Sequence, residues 1–390
     1  MSDSVQVLWD EQLATYDFGR AHPLRPLRLE LTMGLVRELG LLDGAGVEVL
    51  APGSADDDVL ALVHDRDYIG AVRRAPDDLI GRLSNRYGLG PGDNPIFPRM
   101  HEAASLVTGG SVDAARAVWS GVAQHAVNIA GGLHHAMADR ASGFCVYDDP
   151  AVAIAWLLTQ GASRVAYVDI DVHHGYGVQA AFYDDPRVLT ISLHESGRYL
   201  FPGTGFADEV GRGDARGTSV NVALPPGTDD ARWLRAFDAV VPPVLRAYAP
   251  EVLVTQHGCD THALDPLAHL EMTVDGQRVA YAMLHALAHD VCAGRWVALG
   301  GGGYEIVQVV PRAWAHLIAE VVGTPVDGAT PDAWQEWARE RSGEAAPAEL
   351  GDGVVVAWRP WSDGADAHDS VDRAIAATRA EVFPLLGLQP

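Results

Sequence analysis

Short apolar runs and longer amphipathic stretches follow one another along this chain. Apolar residues at three- and four-residue steps predict helices over 107–127 and over 232–248, the second interrupted at Pro242-Pro243. Strand and helix patterns alternate from about Ala126 to Ile318. This alternation favours an α/β fold built around a mainly parallel sheet.

The run from Val165 to Gly175 predicts a buried strand that ends in metal-ligand chemistry. Side chains alternate between the two faces of a strand, so Asp169, Asp171 and His173 share one face and apolar residues occupy the other. Polar groups at a buried strand end are costly unless something binds them. A divalent cation fits best, and an Asp–His hydrogen-bonded pair is the alternative interpretation.

Three further apolar runs are followed by residues with metal-binding or catalytic side chains. His134 and His135 follow the run 126–130, and Asp260 follows the run 252–254. Tyr304 follows another run and then four glycines. Ligands of open parallel sheets bind just beyond the carboxyl ends of the strands. We therefore expect two histidines, a further carboxylate and a phenol to meet the Asp169–His173 segment in one crevice.

The composition of the chain limits which partners and which cellular location we expect. The 390 residues carry a formal net charge of −24, which argues against a nucleic-acid partner. No apolar stretch approaches the length of a membrane helix, and the first residues lack the features of a signal peptide. Three cysteines without a C-x-x-C motif indicate a reducing compartment, so we expect a cytoplasmic protein.

The pattern of elements weakens after Gly323. We divide the chain there into a catalytic domain, residues 1–323, and a C-terminal extension packed on it, residues 324–390. Within the extension, Pro331 predicts the start of one helix, and residues 370–386 form a second.

Five ordered motifs resemble the zinc-dependent histone deacetylase family, and in particular its bacterial acetoin-utilisation members. The resemblance runs from about His22 to about Pro311. It implies a three-layer α/β/α arrangement of the arginase/deacetylase type, with a central, mainly parallel eight-stranded sheet. The motifs are Gly131-Gly132-Leu133-His134-His135, Ala141-Ser142-Gly143-Phe144-Cys145, Asp169-Ile170-Asp171-Val172-His173-His174-Gly175, Leu200-Phe201-Pro202-Gly203-Thr204-Gly205 and Gly300-Gly301-Gly302-Gly303-Tyr304.

Two carboxylates and one imidazole, from Asp171, Asp260 and His173, would hold a dication and leave positions for water and substrate. Three protein ligands with an exchangeable position are typical of a catalytic site. The ligand set suits Zn²⁺ and leaves Fe²⁺ open. Arginases share the fold but bind two metals through additional aspartates, and this chain offers too few for that chemistry.

The resemblance also assigns catalytic roles. It implies that His135 takes a proton from the attacking water and returns it to the leaving amine. His134, oriented by Asp169, would steady the transition state, and Tyr304 would donate its hydroxyl to the developing oxyanion. For one histidine alone, a satisfied core residue would be the better interpretation.

Further site residues are implied by the family pattern. Gly143, Phe144 and Phe201 match the walls of a narrow tunnel for the aliphatic part of acetyl-lysine. Asp93 matches a rim carboxylate, with a turn-stabilising aspartate as the alternative. The remaining matches are Leu267 and Gly302 for substrate, Arg28 for a product channel, and Asp169, Asp171, His173, Ser192 and Leu193 for structural K⁺.

One position departs from the family. Tyr176 stands where relatives carry Asp or Asn, and that residue normally bonds the second histidine of the pair, here His135. We therefore keep a weakly active acetyl-lysine-binding relative as an alternative. The main expectation is hydrolysis of the acetamide of Nε-acetyl-lysine in proteins, with acetyl-CoA synthetase as a partner. Acetylpolyamines or other small amides are the alternative substrates.

Overall fold

The computed structural model describes residues 4–78, 84–90 and 92–390 and shows one central sheet between two layers of helices. The sheet has eight strands, all parallel, in the order β2-β1-β3-β8-β7-β4-β5-β6. Its strands are β1 (Val5–Leu8), β2 (Val47–Leu50), β3 (His125–Asn128), β4 (Val165–Asp169), β5 (Val188–Glu195), β6 (Ser219–Leu224), β7 (Val252–Gln256) and β8 (Trp296–Leu299).

Eleven α-helices are seen in the described part of the chain. They are α1 (Leu27–Glu38), α2 (Asp57–Leu60), α3 (Arg66–Arg74), α4 (Met100–Ser120), α5 (Asp149–Thr159), α6 (Tyr176–Phe182), α7 (Asp230–Tyr248), α8 (Val274–Cys292), α9 (Val310–Val321), α10 (Asp332–Ser342) and α11 (Ser370–Val382). Among these helices, none is both long and apolar enough to cross a membrane.

Alternation along the central strands divides the core into two halves. On β4, Ala166 and Val168 pack into one apolar cluster with residues of α1, α7, α8 and α9. Val165 and Tyr167 pack into a second cluster with residues of α4, α5 and α6. Parallel sheets are normally covered by helices on both faces, and this one is. The predicted three-layer α/β/α fold is confirmed, and the sheet is entirely rather than mainly parallel.

Two predicted helices differ from the observed ones. The helix predicted over 107–127 lies at Met100–Ser120, and residues 125–127 belong to β3 instead. Gly121, with φ of 74°, ends the helix because glycine adopts the left-handed conformation without strain. Helix α7 runs through Pro242 and Pro243 without a break, since its buried face is anchored in the core on both sides of them.

The segment after Gly323 packs against the rest of the chain at several places, among them its two helices. In α10, the Trp334 indole donates to the carbonyl oxygen of Leu31 at 2.9 Å. In α11, buried Asp372 accepts from Arg235 of α7 at 2.6 and 2.9 Å. Helix α10 begins one residue after Pro331, and α11 ends at Val382, before a short 3₁₀ turn. The division of the chain at residue 323 stays a prediction.

Candidate active site

The four strands that end in chemistry-bearing residues lie next to one another. In the order β3-β8-β7-β4 they form the middle of the sheet. Because all are parallel, their carboxyl ends share one edge, and the loops that follow them meet there. The expected convergence of the four segments is therefore observed.

Asp171, His173 and Asp260 form a buried cluster at this edge. The Nδ1 atom of His173 lies 3.2 Å from Asp171 Oδ1 and 3.1 Å from Asp260 Oδ2. All three offer a ligand atom to one small volume, within 4.8 Å of one another. Asp171 is held from its other side, where its Oδ2 accepts from the Gln256 amide at 2.7 Å and from the Gly302 N–H at 2.8 Å.

The electrostatics of this cluster fit a bound dication. Burial and the adjacent Asp171 carboxylate raise the pKa of Asp260 to about 7. Burial raises the pKa of Asp171, but the nearby His134 and the hydrogen bond with His173 outweigh burial and hold that pKa well below its ordinary value. Two buried carboxylates facing one imidazole need positive charge between them. Oxygen and nitrogen donors of this kind suit Zn²⁺, which is typical of the fold family, and also Fe²⁺.

Glycines let the backbone approach the cluster. A Cβ atom on Gly302 would lie 2.0 Å from Asp260 Oδ2, and one on Gly258 would lie 2.0 Å from Asp171 Oδ2. Neither position accepts a side chain without moving a carboxylate. Gly302 therefore acts on the carboxylates through its small size and its N–H.

The histidine pair lies beside the cluster. His134 Nδ1 donates to Asp169 Oδ2 at 2.6 Å, and the Tyr167 hydroxyl donates to the same oxygen at 2.7 Å. Burial opposes protonation of His134, but Asp169 and Asp171 outweigh it and raise its pKa to about 9. The Nε2 atoms of His134 and His135 lie 3.1 Å apart.

His135 is held differently from His134. Its Nδ1 atom is buried and has no hydrogen-bond partner among the described residues. Burial and the neighbouring His134 and His173 keep its pKa well below the ordinary value. Tyr176, predicted to depart from the family pattern, stacks its ring on that of His135 instead of bonding the nitrogen.

A cavity of about 310 Å³ leads to the cluster from the surface. Tyr304 lines it, and its ring meets the Phe144 ring edge-on at 5.7 Å. Phe201, 43% exposed, also lines it, and its ring meets the His135 ring edge-on at 5.2 Å. The structure thus brings together most residues expected at the substrate site, and the cavity is lined by Asp93, His135, Gly143, Phe144, His173, Leu200, Phe201, Leu267 and Tyr304.

Phe144 is held in an unfavourable backbone conformation. Its φ is 68°, which non-glycine residues adopt at some cost. The carbonyl oxygen of Phe144 accepts from the Tyr16 hydroxyl at 2.8 Å, and that hydroxyl accepts from the Val146 N–H at 3.0 Å. Gly143 precedes it with φ of 50°, and a Cβ atom there would lie 2.4 Å from the His135 ring. The wall is therefore shaped by backbone geometry as well as by side-chain size.

Two further groups of predicted residues lie close behind the site. Arg28 is buried and donates to the carbonyl oxygens of Gly301 and Gly303 at 2.8 and 3.2 Å. Ser192 on β5 pairs in register with Asp169 on β4. The product-channel role of Arg28 and the K⁺ site, with Ser192 and Leu193, stay predictions.

Several residues of the site were not found by sequence reasoning. Gln256 bonds Asp171, and Asp265 accepts from the Tyr304 N–H at 2.8 Å. Asp149 accepts from the N–H groups of Gly132 and Leu133 and so shapes the loop before the histidines. A usable signal existed for Gln256 alone, a polar residue that closes an apolar strand. Leu200 lies next to Phe201 in the motif 200–205 and lines the cavity, but the sequence pattern did not predict this role.

Comparisons with known proteins agree with this geometry. The model of the histone deacetylase domain matches residues 22–321. The acetoin utilization protein AcuC of Bacillus subtilis is 41% identical over 374 residues, which are 96% of this chain and 93% of that protein. AcuC of Staphylococcus xylosus is 36% identical, over 86% of this chain and 87% of that protein.

Solved structures show the same fold. A crystal structure of a histone deacetylase homolog complexed with SAHA superposes with a TM-score of 0.82 at 29% identity, over 97% of this chain and all of that one. A homolog from Aquifex aeolicus gives 0.81 at 29% identity, over 96% of this chain and all of that one. With the family model covering most of its length, this chain belongs to the histone deacetylase family.

Proposed function

We propose that the protein hydrolyses the acetamide of Nε-acetyl-lysine in proteins and releases acetate, with Zn²⁺ held by Asp171, His173 and Asp260. The observation that carries the proposal is the placement of this buried cluster beside a histidine pair at the end of an aromatic-walled cavity. Family membership supports deacetylation, and the cavity supports a substrate with a slender apolar stem.

The metal ligands and His135 have different roles in the proposed hydrolysis. A dication held here supplies a Lewis acid for the amide carbonyl and lowers the pKa of a water molecule. His135 is neutral near pH 7 because its pKa is low, so it accepts the proton as the water oxygen attacks the carbonyl carbon. The same histidine returns that proton to the nitrogen as the C–N bond breaks, which leaves acetate and a free amine.

Two other side chains stabilise the negative charge that develops on the carbonyl oxygen. The Tyr304 hydroxyl is a neutral donor, because burial and the nearby carboxylates raise its pKa well above the ordinary value. His134 is fixed in orientation by Asp169 and lies next to the cluster. Donors held in place before the reaction stabilise such charge with little reorganisation.

Substrate selection follows from the shape and polarity of the cavity. Phe144, Phe201 and Leu200 present apolar surface that suits the methylene chain of lysine. Asp93 is exposed at the rim, where a carboxylate accepts from backbone N–H groups of a peptide. Acetylated proteins, with acetyl-CoA synthetase suggested by the acetoin-utilisation relatives, are therefore the proposed substrates.

The Nδ1 atom of His135 has no hydrogen-bond partner among the described residues, and this supports a second candidate, a weakly active protein that mainly binds acetyl-lysine. A carboxylate behind a histidine makes it a stronger base, and a stacked phenol ring does not. In this case the same cavity would hold the acetyl-lysine chain, and turnover would be slow.

Acetate release from acetyl-lysine peptides and from acetylpolyamines, measured side by side, tests the proposal. The protein is loaded with Zn²⁺ or with Fe²⁺ and compared with Asp171→Ala. We expect turnover of peptides by the parent and none by the variant. Turnover of polyamines alone would replace the proposed substrate class. Peptide binding without acetate release would favour the second candidate, and neither binding nor release would contradict both.

A further inference from the structure

A second histidine cluster lies at the edge of the sheet opposite the active site. His125 is the first residue of β3, and His285 and His289 lie one turn apart on α8. The Nε2 atom of His285 is 3.2 Å from that of His125 and 3.1 Å from that of His289. Three imidazole nitrogens therefore face one point, at a place that the proposed hydrolysis does not use.

We infer that His125, His285 and His289 form a second metal site, which binds a divalent first-row transition cation such as Zn²⁺. Three nitrogens bound to one tetrahedral zinc at its usual Zn–N distance lie about 3.4 Å apart. The two Nε2–Nε2 separations of 3.2 and 3.1 Å are only slightly shorter. Three imidazole ligands suit Zn²⁺, Ni²⁺ or Cu²⁺, whereas Mg²⁺ and Ca²⁺ prefer oxygen ligands.

The proton on His285 is placed as metal ligation requires. Its Nδ1 atom lies 2.8 Å from Glu320 Oε1 of α9. The carboxylate only accepts, so Nδ1 carries the proton and Nε2 presents its lone pair to the cluster. Metal-binding histidines usually donate their second N–H to a carboxylate or carbonyl in this way.

Packing fixes the rings of the cluster. The His285 ring stacks on Trp296 at 5.2 Å with an angle of 18° between planes. His125 is buried, and its ring meets that of Trp296 edge-on at 5.7 Å. Gly294 leaves room for the third ring, because a Cβ atom there would lie 2.9 Å from His289 Cε1. A site whose rings are already oriented loses little entropy when a cation binds.

The solvent exposure of the histidine cluster and the elements that carry it indicate what a bound cation would do. His289 is exposed and His285 half-buried, so the cluster opens to solvent and leaves a coordination position for water. The ligands come from β3 and α8, and Glu320 adds α9. A cation there links two helices to the sheet, which is a stabilising role rather than a catalytic one.

Zinc stoichiometry of the untagged chain, after equilibrium dialysis against Zn²⁺, tests the inference. We expect two equivalents in the parent and one in His289→Gln. The matched control is His368→Gln, which changes an exposed histidine outside the cluster and should keep two. In an Asp260→Ala background, which removes the proposed catalytic metal, we expect one equivalent, and none after His289→Gln is added.

Affinity and melting temperature supply readouts that do not depend on hydrolysis. Glu320→Gln should weaken zinc binding in the Asp260→Ala background by about 10- to 100-fold, the usual effect of losing a carboxylate behind a ligand. Zinc should raise the melting temperature of Asp260→Ala and leave that of the doubly substituted chain unchanged. Equal zinc content with and without His289, or no zinc in Asp260→Ala, would overturn the inference and leave the proposed function untouched.

Discussion

The ring of Tyr176 lies 5.3 Å from the ring of His135, with an angle of 28° between their planes. The phenol interacts with Ser142 through its hydroxyl, and burial raises its pKa to about 12. Tyr176 therefore stays neutral and positions His135 by stacking. Among the residues that the structure describes, the imidazole has no charged partner at Nδ1 to stabilise the positive charge that it acquires on accepting a proton.

Replacing Tyr176 by Asp is expected to raise kcat on an acetyl-lysine peptide by about 10-fold or more. This is the usual size of the effect when a carboxylate bonds the second nitrogen of a functional histidine. The comparison is made at matched metal occupancy. Tyr176→Phe keeps the ring stack and should behave like the parent. Equal or lower kcat in the Asp variant would show that this site is adapted to tyrosine.

Asp260→Ala is expected to remove the catalytic metal and with it the hydrolysis of acetyl-lysine, because one of two buried carboxylate ligands is lost. Metal content is measured per chain, together with acetate release. Asp139→Ala, which changes an exposed aspartate, is the matched control. Full metal content with full turnover in Asp260→Ala would show that the ligand assignment is wrong.

Tyr304→Phe is expected to lower kcat by about 100- to 1000-fold with little change in KM, since one oxyanion donor is lost and the ring is kept. Steady-state kinetics on one peptide separate the two constants. Tyr248→Phe removes a hydroxyl that bonds the carbonyl oxygen of Pro186, far along α7 from the site, and should have no such effect. A change confined to KM would limit Tyr304 to binding the substrate.

Stability should fall in mild acid because of His64. Its Nε2 atom accepts from the Asp148 N–H at 2.9 Å and its Nδ1 atom donates to the Met137 carbonyl at 3.0 Å, so only the neutral ring fits. Burial lowers the pKa of His64 to about 4, from an ordinary value near 6.5. The unfolded chain thus binds the proton first, and stability present above pH 6.5 is lost as the pH falls towards 4.

At pH 5 this one histidine should cost about 2 kcal/mol of unfolding free energy relative to pH 7.5. Glutamine can make both hydrogen bonds and does not titrate. The free energy of unfolding of His64→Gln should therefore fall less between pH 7.5 and pH 5 than that of the parent. Urea unfolding at the two pH values measures the difference, with His368→Gln as the control. Identical losses in the parent and in His64→Gln would contradict the assignment.

The main features of the site could be predicted because each lies in a local pattern. Asp171 and His173 were predicted on the strand itself, but β4 ends at Asp169 and they lie just beyond it, as Asp260 lies beyond β7. Parallel strands bring these ends together. Gln256 was missed because its one signal, a polar residue that closes an apolar strand, does not indicate which side chain it bonds. The histidines of the second cluster were missed because His125 is remote in sequence from α8. His285 and His289, four residues apart on a helix, were the only local signal.

The errors in the fold have similar causes. Ala123, Ala126 and Val127 lie at the three- and four-residue steps that are typical of a helix, so the helix prediction ran on past Ser120. Gly121 was the stronger boundary signal. Strand order was not predicted, because it depends on pairings between residues far apart in the chain, such as Val127 with Ala298.

The order of the strands also governs when the site comes into existence during synthesis. Asp171 and His173 emerge first, but their third partner, Asp260, arrives only with β7, which then pairs beside β4. Tyr304 follows still later, after β8, which lies between β3 and β7 in the sheet. The proposed metal ligands are therefore all synthesised before the proposed oxyanion donor, and the complete site requires β8, the last strand of the sheet to be synthesised.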